Sequence, residues 1–174
     1  MLCNEIENGC EKCVNYWKGK NISQKYKIFE INKIEKKKYI IREIKLVNLL
    51  NKKERIVKQI HFVGWPDHDI PNVKEGKIFI IFNEMINLVD KYRNDNPVVV
   101  HCSAGVGRTG TFISMYCLYQ EIKKQIEENA KEIRFSIFNL VRKLKEMRLY
   151  SVQNEVQYFL IYQYVYYLLM THNK

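Results

Sequence analysis

The chain contains little glycine and proline, and it has no long uninterrupted apolar run. Its 174 residues include 7 Gly and 3 Pro, which is too few for long disordered linkers. The longest apolar stretch, residues 156–170, is interrupted by glutamine and tyrosine and is too short to cross a bilayer. We therefore expect one folded domain over residues 1–174, with a buried C-terminal helix, no transmembrane segment and no signal peptide.

Cysteine occurs in an odd number and without a spacing that indicates a metal site. The five thiols, in a chain without a secretory signal, favour reduced cysteines in a cytoplasmic protein. Cys10 and Cys13 form a single C-x-x-C, but no second pair of Cys or His follows at zinc-binding spacing. The sequence therefore predicts no metal and no other cofactor.

Acidic residues are the minority, because 29 Lys and Arg oppose 19 Asp and Glu for a formal net charge of +10. Nucleic acid, an anionic membrane and an acidic substrate are each compatible with this charge. The lysine runs at 36–38 and 52–53 separate apolar-alternating segments, which is typical of exposed turns and edges. Charge alone therefore selects no partner.

Hydrophobic periodicity predicts an α/β (α+β) domain with a mixed, twisted β-sheet flanked by helices. Segments rich in β-branched and aromatic residues predict a three-stranded meander: 25–31, 39–50 and 55–65. Turns are expected at 32–38 and 51–54. The wholly apolar residues 98–100 predict a central strand buried on both sides. Apolar residues at helical spacing predict four helices: 72–94, 109–128, 136–148 and 154–170.

A glycine-rich loop stands between the predicted strand at 98–100 and the next helix. Such a loop binds phosphate, because its backbone N–H groups and the helix N-terminus converge on the anion. Gly105, Gly107 and Gly110 allow the backbone to approach closely and to adopt positive φ. The spacing differs from that of a nucleotide-binding loop, and no lysine follows the glycines.

Cys102 begins this loop and is the candidate nucleophile. The surrounding N–H dipoles and the nearby Arg108 favour its thiolate, and a thiolate in a phosphate cradle can attack phosphorus. Arg108 can bind two phosphoryl oxygens at once. Such a reaction needs an acid for the leaving oxygen, and Asp67 can supply it from a Trp-Pro-Asp turn based on Trp65. The alternative is that Cys102 is only a small buried apolar residue at the end of a strand. In that case the three glycines and Arg108 would each need a separate explanation.

The sequence HCSAGVGRTGTF, residues 101–112, resembles the signature loop of the cysteine-dependent protein tyrosine phosphatases. Segments 12–17 (KCVNYW), 65–71 (WPDHDIP) and 152–157 (VQNEVQ) resemble other motifs of that family, in the family's order. The chain is most similar to the tyrosine-specific, non-receptor type of catalytic domain. Its abundant Lys, Ile and Asn resemble virus-encoded members such as those of polydnaviruses, which would place it in the host-cell cytoplasm.

The resemblance implies a two-step reaction on phosphotyrosine in proteins. Cys102 would form a cysteinyl-phosphate, while Arg108 clamps the phosphate. Asp67, on a loop that closes over substrate, would be the general acid. Gln153, helped by Gln157, would position the water of the second step.

The resemblance also implies supporting roles around the loop. Thr109 would ease departure of the cysteine, His101 would support the low thiol pKa, and Glu7 would pair with Arg108. The remaining phosphate-binding residues are those of the loop itself: Ser103, Ala104, Gly105, Val106 and Gly107.

The chain departs from the family pattern in ways that predict slower turnover. Only eleven residues precede Lys12 and no N-R-Y occurs, so we expect a domain that lacks the usual N-terminal third. Asp69 and Tyr150 stand where the family usually has glycine. Two alternatives therefore stay open: a weak or inactive phosphotyrosine-binding decoy, and the same chemistry on RNA 5′-phosphates or phosphoinositides. Nucleic acid is the less expected partner.

Overall fold

Antiparallel strands fill the first part of the chain and helices fill the rest. The computed structural model describes residues 1–19, 24–73 and 77–172. The strands are β1 (Ile6–Glu7), β2 (Cys10–Glu11), β3 (Tyr26–Glu35), β4 (Tyr39–Asn48) and β5 (Glu54–Phe62). The helices are α1 (Lys77–Arg93), α2 (Gly107–Glu127), α3 (Ile137–Met147) and α4 (Glu155–His172). The predicted α+β class is confirmed.

The meander predicted from the sequence forms a sheet in the order β3-β4-β5 with antiparallel pairing throughout. The turn predicted at 32–38 is wrong in extent, because β3 continues to Glu35. A register shift between Glu30 and Asn32 marks a bulge, which breaks the alternation on which the sequence prediction depended. The reversal needs only residues 36–38, where the Lys36 N–H donates to the Tyr39 carbonyl at 2.9 Å.

The central strand predicted at 98–100 is wrong. Residues 97–100 have no strand assignment, and the exposed fractions of Val98 and Val99 are 44% and 84%. In the part of the chain that the structure describes, the ladders are all antiparallel, so the predicted mixed sheet is not formed there. Immediately after this segment, the Leu2 N–H donates to the His101 carbonyl at 2.9 Å, which joins the chain here to the N-terminal segment. An apolar run makes a buried strand only where neighbouring strands cover it.

An aromatic cluster forms the centre of the core between the sheet and the helices. The ring of Phe62 in β5 lies 5.6 Å from that of Phe82 in α1 and 6.2 Å from that of Trp65, centroid to centroid. The buried face of α1 consists of apolar residues at helical spacing: Ile78, Phe79, Phe82, Met85 and Ile86. Residues 74–76, within the predicted helix, lie outside the described residues.

Helix α2 begins at Gly107, two residues earlier than predicted, so Arg108 and Thr109 lie in its first turn. It packs against α3 and α4. A Cβ atom on Gly110 would lie 2.7 Å from the backbone nitrogen of Val152, so only glycine permits this close approach. The packing brings the segment before α4 beside the glycine-rich loop. Within the described ranges, no helix is long and apolar enough to cross a membrane.

Candidate active site

The loop of residues 101–106 curls around the sulfur of Cys102, which is 6% exposed. Gly105 has φ +71°, a conformation that other residues rarely adopt. From outside the loop, Arg148 donates from Nε to the Gly105 carbonyl and from Nη2 to the Ala104 carbonyl, both at 2.9 Å. On the other side of the same backbone, the N–H groups of Gly105 and Val106 are directed at the sulfur.

Hydrogen bonds to the sulfur lower the pKa of Cys102. Burial raises the pKa of this thiol, but the Thr109 hydroxyl and the backbone N–H groups of Thr109, Gly105 and Val106 outweigh it. Among the described residues, the buried Thr109 hydroxyl has no hydrogen-bond partner of normal distance and angle, although it lies close enough to the sulfur to help lower the thiol pKa. The thiolate is thus more favourable here than in an ordinary cysteine.

Arg108 is almost fully buried beneath the loop and is held by two carboxylates. Its Nη1 donates to both carboxylate oxygens of Glu7, at 2.7 and 2.9 Å, and to the Trp65 carbonyl at 3.1 Å. Its Nη2 donates to Asp67 Oδ1 at 3.0 Å. Burial lowers the pKa of this guanidinium, but the bond to Glu7 outweighs burial and the pKa is raised. The cation is therefore fixed in position and in charge.

Asp67 lies above the loop and is held there by two cations. Lys12 Nζ is 2.6 Å from Asp67 Oδ2, and Arg108 binds the other oxygen. Burial raises the pKa of this carboxyl, but the bond from Lys12 and the charge of Arg108 outweigh it, so the pKa is lowered. The turn is supported by the Trp65 ring N–H, which donates to the Asp69 carbonyl at 2.9 Å, and by Asn154, which donates to the His68 carbonyl at 2.9 Å.

The glutamines before and within α4 approach the loop at Gly107. A Cβ atom at this position would lie 3.0 Å from the Oε1 atoms of both Gln153 and Gln157, so glycine leaves room for the two amides. The Gln153 N–H donates to Gln157 Oε1 at 2.9 Å, which orients the buried Gln157 side chain. A cavity of about 110 Å³ lies here. Its lining residues are Lys12, Asp67, His68, Cys102, Ser103, Ala104, Val106, Gly107, Arg108, Gln153 and Gln157.

His101 is linked to both the loop and the preceding segment. Its Nδ1 lies 3.1 Å from the Cys102 carbonyl, which can only accept, so Nδ1 carries the proton. Its Nε2 lies 2.8 Å from the Tyr16 hydroxyl and accepts from it when the ring is neutral. Burial lowers the pKa of His101, which favours that neutral ring.

The structure brings most predicted site residues to one cavity, while others lie around it. Trp65, Glu7, His101 and Thr109 contact residues of the site from outside the cavity lining, and Gly105 directs its N–H to the sulfur. Sequence reasoning missed four contributors: Lys12, Tyr16, Arg148 and Asn154. The first two lie in the recognised segment 12–17, but nothing in the sequence connects Arg148 with a loop more than forty residues away.

Comparison with known proteins gives the family. A family model described as protein-tyrosine phosphatase matches residues 1–167. The chain belongs to the protein-tyrosine phosphatase family. It is 32% identical over 166 residues to receptor-type tyrosine-protein phosphatase F from Danio rerio and from Homo sapiens, covering 94% of this chain and 8% of each relative. It is 33% identical to receptor-type tyrosine-protein phosphatase S from Gallus gallus, covering 94% of this chain and 10% of that protein.

The chain has the same fold as a solved structure of PTPN18, which is described as the structural basis of the PTPN18 fingerprint on distinct HER2 tyrosine phosphorylation sites. The TM-score is 0.80 at 26% identity, over 96% of this chain and 58% of that one. This chain therefore spans less than two thirds of that relative and about a tenth or less of the receptor-type relatives. Its particular resemblance to the non-receptor type stays a prediction, because the curated relatives named above are receptor-type.

Proposed function

We propose that this chain hydrolyses phosphotyrosine in proteins through a cysteinyl-phosphate on Cys102. The carrying observation is the environment of the Cys102 sulfur, where backbone N–H groups lower the thiol pKa. Arg108 shares the small cavity with that sulfur. An anion-binding cradle with a thiolate at its base suits nucleophilic attack on a phosphate ester.

In the first step, a phosphoryl group binds to the loop N–H groups and to Arg108. A phosphoryl oxygen replaces Asp67 as the acceptor of the hydrogen bond from Arg108 Nη2, while Nη1 continues to donate to Glu7. The sulfur forms a bond to phosphorus as the bond to the tyrosyl oxygen breaks, and Asp67 protonates that oxygen. In the free site the Asp67 pKa is lowered. The bound phosphate raises it, because its negative charge lies beside Asp67 and because Arg108 no longer donates to the carboxylate.

In the second step, water cleaves the sulfur–phosphorus bond. Gln153 orients the water, Asp67 accepts its proton, and inorganic phosphate leaves. The Thr109 hydroxyl, which lies close to the sulfur and has no other hydrogen-bond partner among the described residues, stabilises the thiolate as it departs. The site thereby returns to its starting protonation state.

A catalytically weak phosphotyrosine-binding protein is the second candidate, and the ion pairs of Asp67 favour it. A carboxyl bound by both Lys12 and Arg108 is held as carboxylate, which cannot donate a proton until substrate displaces a cation. Tyr150, which is 66% exposed and lies two residues after Arg148, adds bulk where the family usually has glycine. Slow turnover with retained binding is the expected behaviour of this candidate.

Hydrolysis of an aryl phosphate by the purified chain tests the proposal. We expect measurable turnover that falls by on the order of 10³-fold or more in Cys102→Ser. Asp67→Ala should lower kcat for a poor leaving group by about 10²-fold or more while phosphopeptide affinity persists. Binding without turnover by the unsubstituted chain would support the decoy. Faster hydrolysis of a 5′-triphosphorylated RNA or a phosphoinositide than of a phosphotyrosine peptide would contradict the substrate class.

A further inference from the structure

Beside the candidate active site, but outside its cavity, lies a cluster of two thiols and an imidazole. The ligand atoms of Cys3, Cys13 and His101 all lie within 4.8 Å of one another. The three residues come from the N-terminal segment, the segment before Trp17 and the start of the glycine-rich loop. All five cysteines of the chain are free thiols.

The backbone around these residues is held by hydrogen bonds on each side. The Leu2 N–H donates to the His101 carbonyl at 2.9 Å, which ties the N-terminal segment to the loop. The Cys3 carbonyl accepts from His61 Nε2 at 2.8 Å, and the Cys13 N–H donates to the Glu5 carbonyl at 3.3 Å. The cluster is thus built on supported backbone rather than on a free terminus.

We propose that Cys3, Cys13 and His101 bind a Zn²⁺ ion, with a fourth ligand from solvent. Two thiolates and one imidazole are a donor set that zinc prefers, and three protein ligands with one open position occur in known zinc sites. Zinc bonds of about 2.0–2.3 Å in tetrahedral geometry place ligand atoms about 3.4–3.8 Å apart. The distances between the three ligand atoms therefore need to shorten by about 1 Å at most for the cluster to bind an ion.

The orientation of His101 suits this role. Its Nδ1–H donates to the Cys102 carbonyl, which leaves Nε2 as the free lone pair, as in metal-bound histidines held by a second hydrogen bond. The ion would replace the Tyr16 hydroxyl, now 2.8 Å from Nε2. That hydroxyl keeps a second partner, because Gln59 Nε2 donates to it at 2.7 Å.

An ion can reach the site from a groove. Cys13, Tyr16 and His101 line a groove of about 940 Å³ beside β5, whereas Cys3 lies beneath at 1% exposure. Solvent in the groove can supply the fourth ligand. The N-terminal amine of Met1 also lies on this side, where it donates to the Ile60 carbonyl at 2.9 Å. Burial lowers the pKa of this amine to about 6, so its positive charge opposes a bound cation less than an exposed ammonium would.

The proposal revises the expectation that the chain binds no metal. That expectation followed from the absence of a second Cys or His pair near the C-x-x-C. In the folded chain Cys13 faces Cys3 and His101, while its sequence neighbour Cys10 is exposed in the β1–β2 hairpin and is not part of the cluster. Cys10 is therefore a matched control within the same motif.

Cobalt titration of the full chain tests the site independently of any phosphatase activity. The parent is Cys102→Ser, kept reduced, so that the active-site thiolate does not compete. We expect one Co²⁺ per chain, with thiolate-to-cobalt charge-transfer absorption that added Zn²⁺ abolishes. Cys13→Ser and Cys3→Ser should each weaken binding by about tenfold or more, whereas Cys10→Ser and Cys117→Ser should leave it unchanged.

Two results would overturn the proposal. One is the absence of charge-transfer absorption in the parent. The other is a cobalt affinity that stays unchanged in Cys13→Ser, or that falls equally in Cys10→Ser. Because Cys3 is buried, circular dichroism must first show that Cys3→Ser is folded, and the half-exposed Cys13 provides the test that does not depend on the core.

Discussion

Lys12 and Asp67 form an ion pair in which Nζ lies 2.6 Å from Oδ2, directly above the glycine-rich loop. The pair connects segment 12–17 with the Trp-Pro-Asp turn and holds the turn over Cys102. It also determines the charge of the proposed general acid, because the bond from Lys12 helps to lower the Asp67 pKa.

Substitution of Lys12 by Met should move the pH dependence of turnover. With the lysine removed, the Asp67 pKa rises toward its ordinary value, so the acid stays protonated to higher pH. The alkaline limb of kcat for a poor leaving group should therefore shift upward in pH. The control is a substrate whose leaving group needs no protonation. Its pH profile should be the same with and without Lys12, because its turnover does not depend on the Asp67 proton. An unshifted limb with both substrates would contradict the acid role of Asp67.

Substitution of Glu7 by Gln should weaken phosphate binding. Glu7 accepts two bonds from Arg108 Nη1 with its side chain only 7% exposed, so its charge fixes the guanidinium. Loss of a charged hydrogen bond of this kind costs about 1.5–3 kcal/mol, or about 10–100-fold in kcat/KM and in vanadate affinity. Glu11→Gln, an exposed change in the same hairpin, should have no effect. Equal kinetics for the two variants would exclude a role for Glu7.

Substitution of Arg148 by Ala should disturb the loop from a distance. Without its two bonds to the Ala104 and Gly105 carbonyls, the loop N–H groups lose their fixed direction. We expect kcat to fall by about tenfold and the pH midpoint of Cys102 alkylation to rise, because the thiolate loses stabilisation. Arg142→Ala, on the exposed face of α3, is the matched control. A lower kcat with an unchanged alkylation midpoint would assign Arg148 another role.

Substitution of Tyr150 by Gly should improve both stability and access. Tyr150 has φ +67°, which costs about 1–2 kcal/mol for a residue with a Cβ, while glycine loses about 0.4–1 kcal/mol in chain entropy. A gain near 0.5–1 kcal/mol in the free energy of unfolding should follow, measured by denaturant titration. Leu149→Gly, next to it and also exposed, should destabilise the chain. Faster turnover of phosphopeptides, with little change for a small aryl phosphate, would identify Tyr150 as an obstacle to large substrates.

Contiguous residues made the loop predictable from the sequence. Cys102, Arg108 and the glycines lie within ten positions, and their chemistry depends mostly on one another and on the helix that follows. Helix α1 could also be predicted from nearby residues, because the spacing of its apolar side chains places Phe82 and Met85 on one buried face. The Glu7 pairing followed from family resemblance alone, since its partner lies 101 positions away.

Long-range neighbours decided the features that sequence reasoning missed. Val98 and Val99 are as apolar as a central strand requires, but burial depends on which strands lie beside them. The bulge between Glu30 and Asn32 shifts the alternation of apolar and polar residues by one position, so the sequence after it predicts a turn where β3 in fact continues. The Cys3–Cys13–His101 cluster joins segments far apart in the chain, and no spacing rule for metal ligands includes it.

The pH dependence of Cys102 alkylation tests the central claim most directly. In a background with Cys10→Ser, Cys13→Ser and Cys117→Ser, which removes the exposed and partly exposed thiols, the rate of alkylation should follow the Cys102 thiolate. We expect a midpoint below the ordinary thiol value of 9.0, and protection by vanadate bound in the loop. A midpoint at or above that value, with no protection by vanadate, would contradict the account of this chain as a thiolate-dependent phosphatase.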